Sequence, residues 1–570
     1  MCGISGVISF KNKIDSKTIS KIIKSIKNRG PDDDGYWTSK DKKNLLVNTR
    51  LSIIDTSERG KQPMISSDNR HVIVFNGEIY NYNDLKFELK EYNFKGKSDT
   101  EVILYLYKKH KEHCLNYLDG MFAFAIYDTF TQELFCARDR FGIKPFYYFQ
   151  DSKGFYFSSE INTFEYIGFS MKPNLHSVNR YLSSEYYEHI NQTFYKNIFK
   201  LKPGHYIKFR NKKKIEIPYC NFIEDLSKFE IPKKNSDKKF YFKELIFNTI
   251  SKSFVSDVPI TIASSGGLDS SIINYSAYKK GKSINSISFS FDDENFSEKK
   301  YVDLISSKTN SRATYFKSNS SIFKESINYS IKKMNEPFAG LPIIAYMLLI
   351  KNKAKNKVII DGSGLDEMHC GYDKYFNLKK EIKLTVSQDK SKSILEGLTG
   401  KKLKKYYSDK NIKRIFKNFT LDAMYKDLFY IKLPRSLRFR DKLSMLYGKE
   451  IRPAFLDKNL ALSFFKLKIT SHYKENFGKY FLRDLYSKEL GRKICFAKKR
   501  HIQTPQTVWF RKDLKNWILN FCENLSIVEN GWIDNKSLKK NLDLFFNGRI
   551  NNSFFIWQII NLEIWFKTKF

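Results

Sequence analysis

The sequence predicts an α+β domain at the N-terminus, with antiparallel sheets layered with helices. It predicts that an α/β domain follows, with a parallel sheet and a helical C-terminal region. Three observations lead there. The chain has 570 residues, too many for one hydrophobic core. Residues 1–210 read as short strands broken by polar turns, whereas strand–loop–helix units run in series from about residue 241. From Ile382 onward, helix-period patterns dominate. Residues 211–240 are polar and lysine-rich, and Lys233–Lys239 has no apolar residue, so a linker is expected there between domains 1–210 and 241–570.

In chain order, Ile19, Ile22, Ile23 and Ile26 recur at helical spacing and predict a helix over Asp15–Lys27. His71–Phe75 reads as a strand that ends at an Asn76-Gly77 turn. Leu85–Glu91 and Glu101–Lys109 read as helices. Met121–Tyr127 and Leu134–Ala137 read as a hairpin, and Phe155–Ser158 as another strand. In the second half, Val258–Ala263 is an apolar strand followed by Ser264-Ser265-Gly266-Gly267 and a helix that begins near Asp269. Ser283–Phe291 alternates like a strand, and Val358–Ile360 is a short apolar strand ending at Asp361-Gly362. Units of this kind bind ligands at the carboxyl ends of their strands.

Composition narrows the function classes. With 41% hydrophobic and 28% charged residues the chain is globular. Its net charge of +39 comes from lysine spread along the whole length, not from the stripe that a nucleic-acid binder concentrates, so no specific nucleic-acid partner is expected. The seven cysteines include no CxxC pair. That argues against a disulfide framework and a zinc site and points to a reducing cytoplasm. The N-terminus lacks the features of a signal peptide, and apolar stretches such as Ala345–Ile350 are too short to span a bilayer, so a soluble protein without a membrane partner is expected.

Two constellations carry chemistry. Cys2 follows the initiator Met, and removal of Met1 would leave a thiol and an α-amine on one residue. Such an amine titrates near ~7.7–8.0 and can accept the proton of its own thiol. Ser265-Gly266-Gly267-Leu268-Asp269-Ser270 lies between a strand and a helix, where glycines let backbone N–H groups converge on an anion. No Gly-Lys-Ser/Thr follows, so it is not a Walker A loop. Plainer readings stand beside these: Asn76-Gly77 as a hairpin turn and Asp99 as a helix N-cap.

The first two hundred residues resemble the glutaminase domain of N-terminal-nucleophile amidotransferases. The matching pieces are Cys2-Gly3-Ile4-Ser5-Gly6, Arg29-Gly30-Pro31-Asp32, Arg50-Leu51-Ser52-Ile53, Asn76-Gly77-Glu78-Ile79-Tyr80-Asn81, Ser98-Asp99-Thr100-Glu101 and Gly142-Ile143-Lys144-Pro145. The resemblance implies Cys2 as nucleophile, with the Asn76 side chain and the Gly77 N–H as oxyanion donors. It also implies a glutamine site of Arg50, Leu51, Ser52, Ile53, Ile54, Asn76, Gly77, Glu78 and Asp99. In it Arg50 would pair with the α-carboxylate, and Asp99 and Glu78 would hold the ammonium end.

The second half is similar to the adenylate-forming half of the asparagine synthetase family. The likeness runs through Ser265–Ser270, Asp361-Gly362-Ser363-Gly364-Leu365-Asp366-Glu367, Asp441-Lys442-Leu443-Ser444-Met445, Phe455-Leu456-Asp457 and Lys498-Lys499. It implies ATP and pyrophosphate binding at Ala263, Ser265, Gly266, Gly267, Leu268, Asp269, Ser270, Phe289, Asp361, Gly362 and Lys499. Asp269 would hold Mg²⁺, and Ser363, Asp366 and Glu367 would form the acceptor and adenylate region. The reaction implied makes asparagine from aspartate, glutamine and ATP through an acyl-adenylate and channelled ammonia. A homodimer is compatible with it. Ser363 stands where an acidic residue is usual, and Gly340 where many relatives carry Asp. Arg452-Pro453-Ala454 shifts the usual proline by one place. These departures leave open another carboxylate acceptor, such as a uronic acid of a surface polysaccharide. A non-catalytic binding or scaffold protein is the other alternative.

Overall fold

Short β-branched and aromatic runs pair antiparallel throughout the first part of the chain. The computed structural model describes residues 2–183, 187–291, 297–376, 378, 397–406, 412–497 and 504–570. The strands are β1 (Gly3–Ser9), β2 (Asp33–Thr38), β3 (Asn44–Arg50), β4 (Met64–Ile65), β5 (His71–Ile79) and β6 (Gly120–Asp128). After them come β7 (Glu133–Arg138), β8 (Tyr147–Gln150), β9 (Gly154–Ser158), β10 (Phe199–Lys200), β11 (His205–Arg210) and β12 (Lys213–Pro218). They form two six-stranded sheets, ordered β10-β8-β9-β1-β3-β2 and β12-β11-β7-β6-β5-β4.

Side-chain alternation, with a period of two, builds the layers. Along β3, Leu46 points between the sheets, whereas Leu45 and Val47 face the helix Ser16–Ile26. Along β5, Val72 and Val74 join the inter-sheet core, while Ile73 and Phe75 face the helix Asp99–His110. The result is helix, sheet, sheet, helix. Asp15 caps the first helix, accepting from Thr18 N at 2.8 Å.

Two expectations need correction. Asn76-Gly77 is not a turn: β5 runs on to Ile79, because β6 lies opposite it for its whole length, from His71↔Asp128 to Ile79↔Gly120. A continuous partner strand outweighs the local turn preference. The expected linker, 211–240, opens inside a hairpin, since Asn211 and Lys212 take φ of 51° and 61° and turn β11 into β12. The helix Asn235–Ser253 then begins before that stretch ends. Lysines on the solvated faces of strand and helix give the same composition as a linker. We place the division between Pro218 and Asn235.

The second sheet system is parallel: β13 (Ile260–Ala263), β14 (Ser286–Phe291), β15 (Ala313–Ser318), β16 (Val358–Asp361) and β17 (Glu450–Pro453). Its order is β15-β14-β13-β16-β17. The order reverses between β13 and β16, which opens a crevice at their carboxyl ends. Helices supply most of the chain that follows. Besides the short hairpin of Tyr473–Lys474 with Phe477–Gly478, they are interrupted by β17, which no strand pattern announced. Its Glu450-Ile451-Arg452-Pro453 carries two charges and a proline, yet all four residues are buried. A proline is tolerated because β17 is an edge strand. Among the described residues no helix is long and apolar enough to cross a membrane.

The domains meet over apolar and buried ionic contacts. Met121, Phe141 and Ile143 share a core with Leu365, Ala454 and Phe455. Arg29 donates through Nη1 to Asp441 Oδ2 at 2.8 Å and through Nη2 to Asp441 Oδ1 at 3.1 Å. It also reaches Glu160 at 3.0 Å. Arg29→Met leaves both carboxylates buried without this partner. A loss of about 3–5 kcal/mol of stability is expected, read as a lower midpoint in urea unfolding followed by circular dichroism.

Candidate active sites

Strand β1 starts directly after Cys2 and is paired on both sides, so the thiol sits at a fixed place at the sheet's end. A pocket there brings together Cys2, Arg50, Leu51, Ile53, Ile54, Gly77, Glu78 and Asp99. Cys2 N donates to Asn76 Oδ1 at 3.1 Å, which orients the amide and leaves Asn76 Nδ2 buried with no acceptor. Opposite Gly77, Phe122 has its N–H on Asp139 Oδ2 at 3.2 Å and its carbonyl on Asp139 N at 2.8 Å. Both groups of Phe122 therefore face β7, the Gly77–Phe122 pair is non-hydrogen-bonded, and the Gly77 N–H turns away from β6. Two donors are thus in place for an oxygen that becomes negative, the arrangement that stabilises a tetrahedral intermediate.

The charged ends of the pocket are equally prepared. The buried Arg50 guanidinium donates to the carbonyls of Ser57, at 2.9 Å, and Asp55. Among the described residues no carboxylate forms an ion pair with it, so its charge suits an incoming carboxylate. Asp99 is buried and accepts from Ile79 N at 3.0 Å, and burial pushes its carboxyl up to about 6. The helix cap is Ser98, whose hydroxyl accepts from Thr100 N at 3.1 Å, so Asp99 is not the cap and its side chain is left for the pocket. Glu78 is split: Oε2 accepts from Arg452 Nη2 at 2.6 Å, and Oε1 is buried without a partner. Burial raises its carboxyl well above the ordinary range. Ser52 lies apart, at the domain boundary. Its N–H reaches Asp32 at 2.7 Å and its carbonyl accepts from Lys357 Nζ at 3.3 Å.

The second site fills the crevice between β13 and β16. Gly266 takes φ of +61°, and a Cβ there would fall 2.5 Å from the Tyr301 backbone. Ser265 N donates to Ser270 Oγ at 3.2 Å and Gly267 N to Ser265 Oγ at 3.3 Å, closing the loop onto the helix Leu268–Lys279. That helix has no side-chain cap, so its first N–H groups face the crevice as an anion site. Gly362, from the loop after β16, approaches so closely that a Cβ would lie 3.0 Å from Asp269 Cβ. Ala263 ends β13 and Phe289 lies in the neighbouring β14. Leu268 is buried in the domain core.

Sequence order misleads about the signature loop. Asp366 joins Asp269 through a shared partner: Lys479 Nζ lies 2.6 Å from Asp366 Oδ1 and 2.5 Å from Asp269 Oδ2. Glu367, one residue on, points elsewhere and accepts from Tyr372 OH at 2.7 Å, with its carboxyl raised by burial. Ser363 is placed by its N–H on Asp361 Oδ1 at 3.0 Å, and its hydroxyl is buried without a partner. Asp361 is further held by Arg440 and by Tyr346 OH at 3.2 Å. Lys499 lies outside the described residues. His369, with no third metal ligand near it and Cys370 in sequence, packs on Phe464, with Nδ1 2.9 Å from His472 Nδ1. Among the described residues no set of three or more His, Cys, Asp or Glu could hold a metal. Sequence reading assigned no role to Arg29, Arg440, Arg452 or Lys479. Their motifs stood in plain view, but nothing local says which distant carboxylate each meets.

A helix, sheet, sheet, helix domain, with Cys2 at the head of β1 and a pocket charged at both ends, has the architecture of an N-terminal-nucleophile glutamine amidotransferase. The family model described as a glutamine amidotransferase domain matches residues 1–220, and the asparagine synthase model matches residues 242–567. The chain belongs to the asparagine synthase family and is a glutamine-hydrolysing ligase. It is 33% identical to the putative asparagine synthetase [glutamine-hydrolyzing] 2 of Methanocaldococcus jannaschii, over 66% of this chain and 76% of that one. It is 27% identical to asparagine synthetase [glutamine-hydrolyzing] 1 of Bacillus subtilis, over 99% and 96%. To amidase chry2 of Gibberella zeae it is 32% identical, over 48% and 42%.

The Asp99 carboxyl is charged above about pH 6 and neutral below it. Affinity for a ligand that brings an ammonium group should therefore fall as pH drops through about 6, checked by calorimetry of glutamine binding to a Cys2→Ala chain.

Proposed function

We propose that the chain is a glutamine-dependent asparagine synthetase, turning aspartate, glutamine and ATP into asparagine, glutamate, AMP and pyrophosphate. The observation that carries the glutaminase half is the donor pair beside Cys2, Asn76 Nδ2 without an acceptor and Gly77 N–H turned from its sheet, opposite an Arg50 with no ion-pair partner among the described residues. Cys2, freed of Met1, attacks the side-chain amide of glutamine, and its α-amine passes the thiol proton to the departing ammonia. Asn76 and Gly77 hold the oxyanion, Arg50 the α-carboxylate, and Asp99 with Glu78 the α-ammonium. Water then releases glutamate from the thioester. Ammonia crosses at the apolar contact of Met121 and Ile143 with Leu365 and Ala454.

In the second half, ATP lies at the carboxyl ends of β13 and β14, with Ala263 and Phe289 flanking adenine. Its phosphates lie on Ser265, Gly266, Gly267, Ser270 and the N-terminus of the helix Leu268–Lys279. Two carboxylates, Asp269 and Asp366, share the Lys479 ammonium. That donor set fits Mg²⁺, which takes one or two carboxylates and completes its shell with phosphate oxygens and water. When bound, the ion offsets phosphate charge, and Lys479 faces the leaving pyrophosphate. The acceptor carboxylate attacks the α-phosphorus, pyrophosphate leaves, and ammonia displaces AMP from the acyl-adenylate. The names of the two relatives that cover most of their own length favour aspartate as acceptor. A second reading, another carboxylate such as a uronic acid, is favoured by Ser363. Its buried, unpartnered hydroxyl is too weak a base to replace a carboxylate at neutral pH.

Aspartate-dependent pyrophosphate release, with asparagine formed in step, is the expected result of an assay with ATP and glutamine. Glutamine hydrolysis without it would exclude aspartate. Cys2→Ala should lower glutamine-driven synthesis by ~10³-fold or more and spare synthesis from free ammonia. Asp269→Asn should do the reverse, leaving glutamine hydrolysis while pyrophosphate release is lost.

A further inference from the structure

The residues that line the glutamine pocket all come from the first hundred of the chain, ending at Thr100. One of them, Glu78, is held from the other domain. Its partner Arg452 lies on β17 and is fully buried. The guanidinium is fixed on every side. Nη2 reaches Glu78 Oε2 at 2.6 Å, Nε reaches Glu450 Oε1 at 2.5 Å, and Nη1 donates to Ser253 O at 3.1 Å and to Val255 O. Ser253 ends the helix Asn235–Ser253 and Val255 lies two residues beyond it, so the arginine is placed by β17 and by the end of that helix, both in the synthetase domain. The other Glu78 oxygen, Oε1, is buried and has no partner. One carboxylate thus spans the two domains, with one oxygen tied and the other left for a ligand.

We propose that Arg452 is a positioning residue for glutamine hydrolysis: from the synthetase domain it sets the orientation and the charge of Glu78 in the glutamine pocket. The proposal rests on the reading that this pocket takes glutamine. The charged groups that face Glu78 are Arg452 and Glu450 on β17 and Asp99 at the start of the helix Asp99–His110. Burial, Asp99 and Glu450 all favour the neutral acid, and Arg452 opposes them. Without Arg452, Glu78 loses the bond that orients it, and the balance shifts further toward the neutral acid, so it offers a charge to an ammonium group only at higher pH.

The test is glutamine hydrolysis by the full-length chain across a range of pH. Arg452→Gln is expected to raise the KM for glutamine ~10-fold or more, with a smaller change in kcat. It is also expected to move the acid limb of kcat/KM to higher pH. Arg452→Lys, which keeps a charge without the planar fork, should restore the acid limb and only part of the KM. In a Glu78→Gln background there is no carboxylate to hold, and replacing Arg452 should change KM no further. A folded Arg452→Gln chain with the wild-type KM and pH profile overturns the proposal. So does an equal KM effect in the Glu78→Gln background, the mark of a merely structural role. If Arg452→Gln does not fold, Arg452→Lys decides, and a wild-type KM there overturns the proposal. A wild-type chain that neither binds nor hydrolyses glutamine overturns the glutamine reading itself, a failure distinct from these.

Discussion

The buried guanidinium of Arg29 is the interaction on which the two halves depend. Its Nε donates to the Cys2 carbonyl at 3.2 Å, while its other nitrogens hold Asp441 and Glu160. The residue that holds the Cys2 backbone is therefore the one that docks the second domain. A lysine could not do both, because only a planar fork offers parallel bonds to a carboxylate and a third donor at its base. Both charges are out of water, and the bridge is tolerable because each polar atom is matched.

Asp441 lies on the helix Lys432–Met445, and its neighbour Arg440 holds Asp361 at the end of β16. One helix thus touches the support of Cys2 and the loop after β16. Strand β17 does something similar. Arg452 pairs in register with Ile360, one residue before Asp361, while its side chain holds Glu78. The two arginine contacts are separate connections between the same pair of sites.

The sites differ in their electrostatic preparation. The pocket beside Cys2 keeps a cation, Arg50, with no ion-pair partner among the described residues, together with two carboxyls that burial has raised. Such a pocket is matched in charge to a zwitterion. In the synthetase crevice the acids are matched internally, with Asp269 and Asp366 on Lys479 and Asp361 on Arg440. The uncapped helix N-terminus and the glycine loop beside them suit an anion.

Much was legible in the chain itself. Helical spacing of Ile19, Ile22 and Ile26 located the first helix to within a residue or two, and apolar runs found β13, β14 and β16, because these signals are local and periodic. The motifs likewise pointed to the two domains of the family, 1–220 and 242–567. Other features were decided only by packing. Asn76-Gly77 became mid-strand because β6 lies opposite. The start of the expected linker became a hairpin strand because β11 needed a partner, and Glu450–Pro453 became a strand because β16 offered an edge. Asp366 and Glu367, adjacent in sequence, parted because one found Lys479 and the other Tyr372. The sequence alone determined which chemical groups the protein owns. The pairing of buried charges across hundreds of residues was left to the tertiary structure, because an ion pair depends on distance in space, and that distance has no local signal.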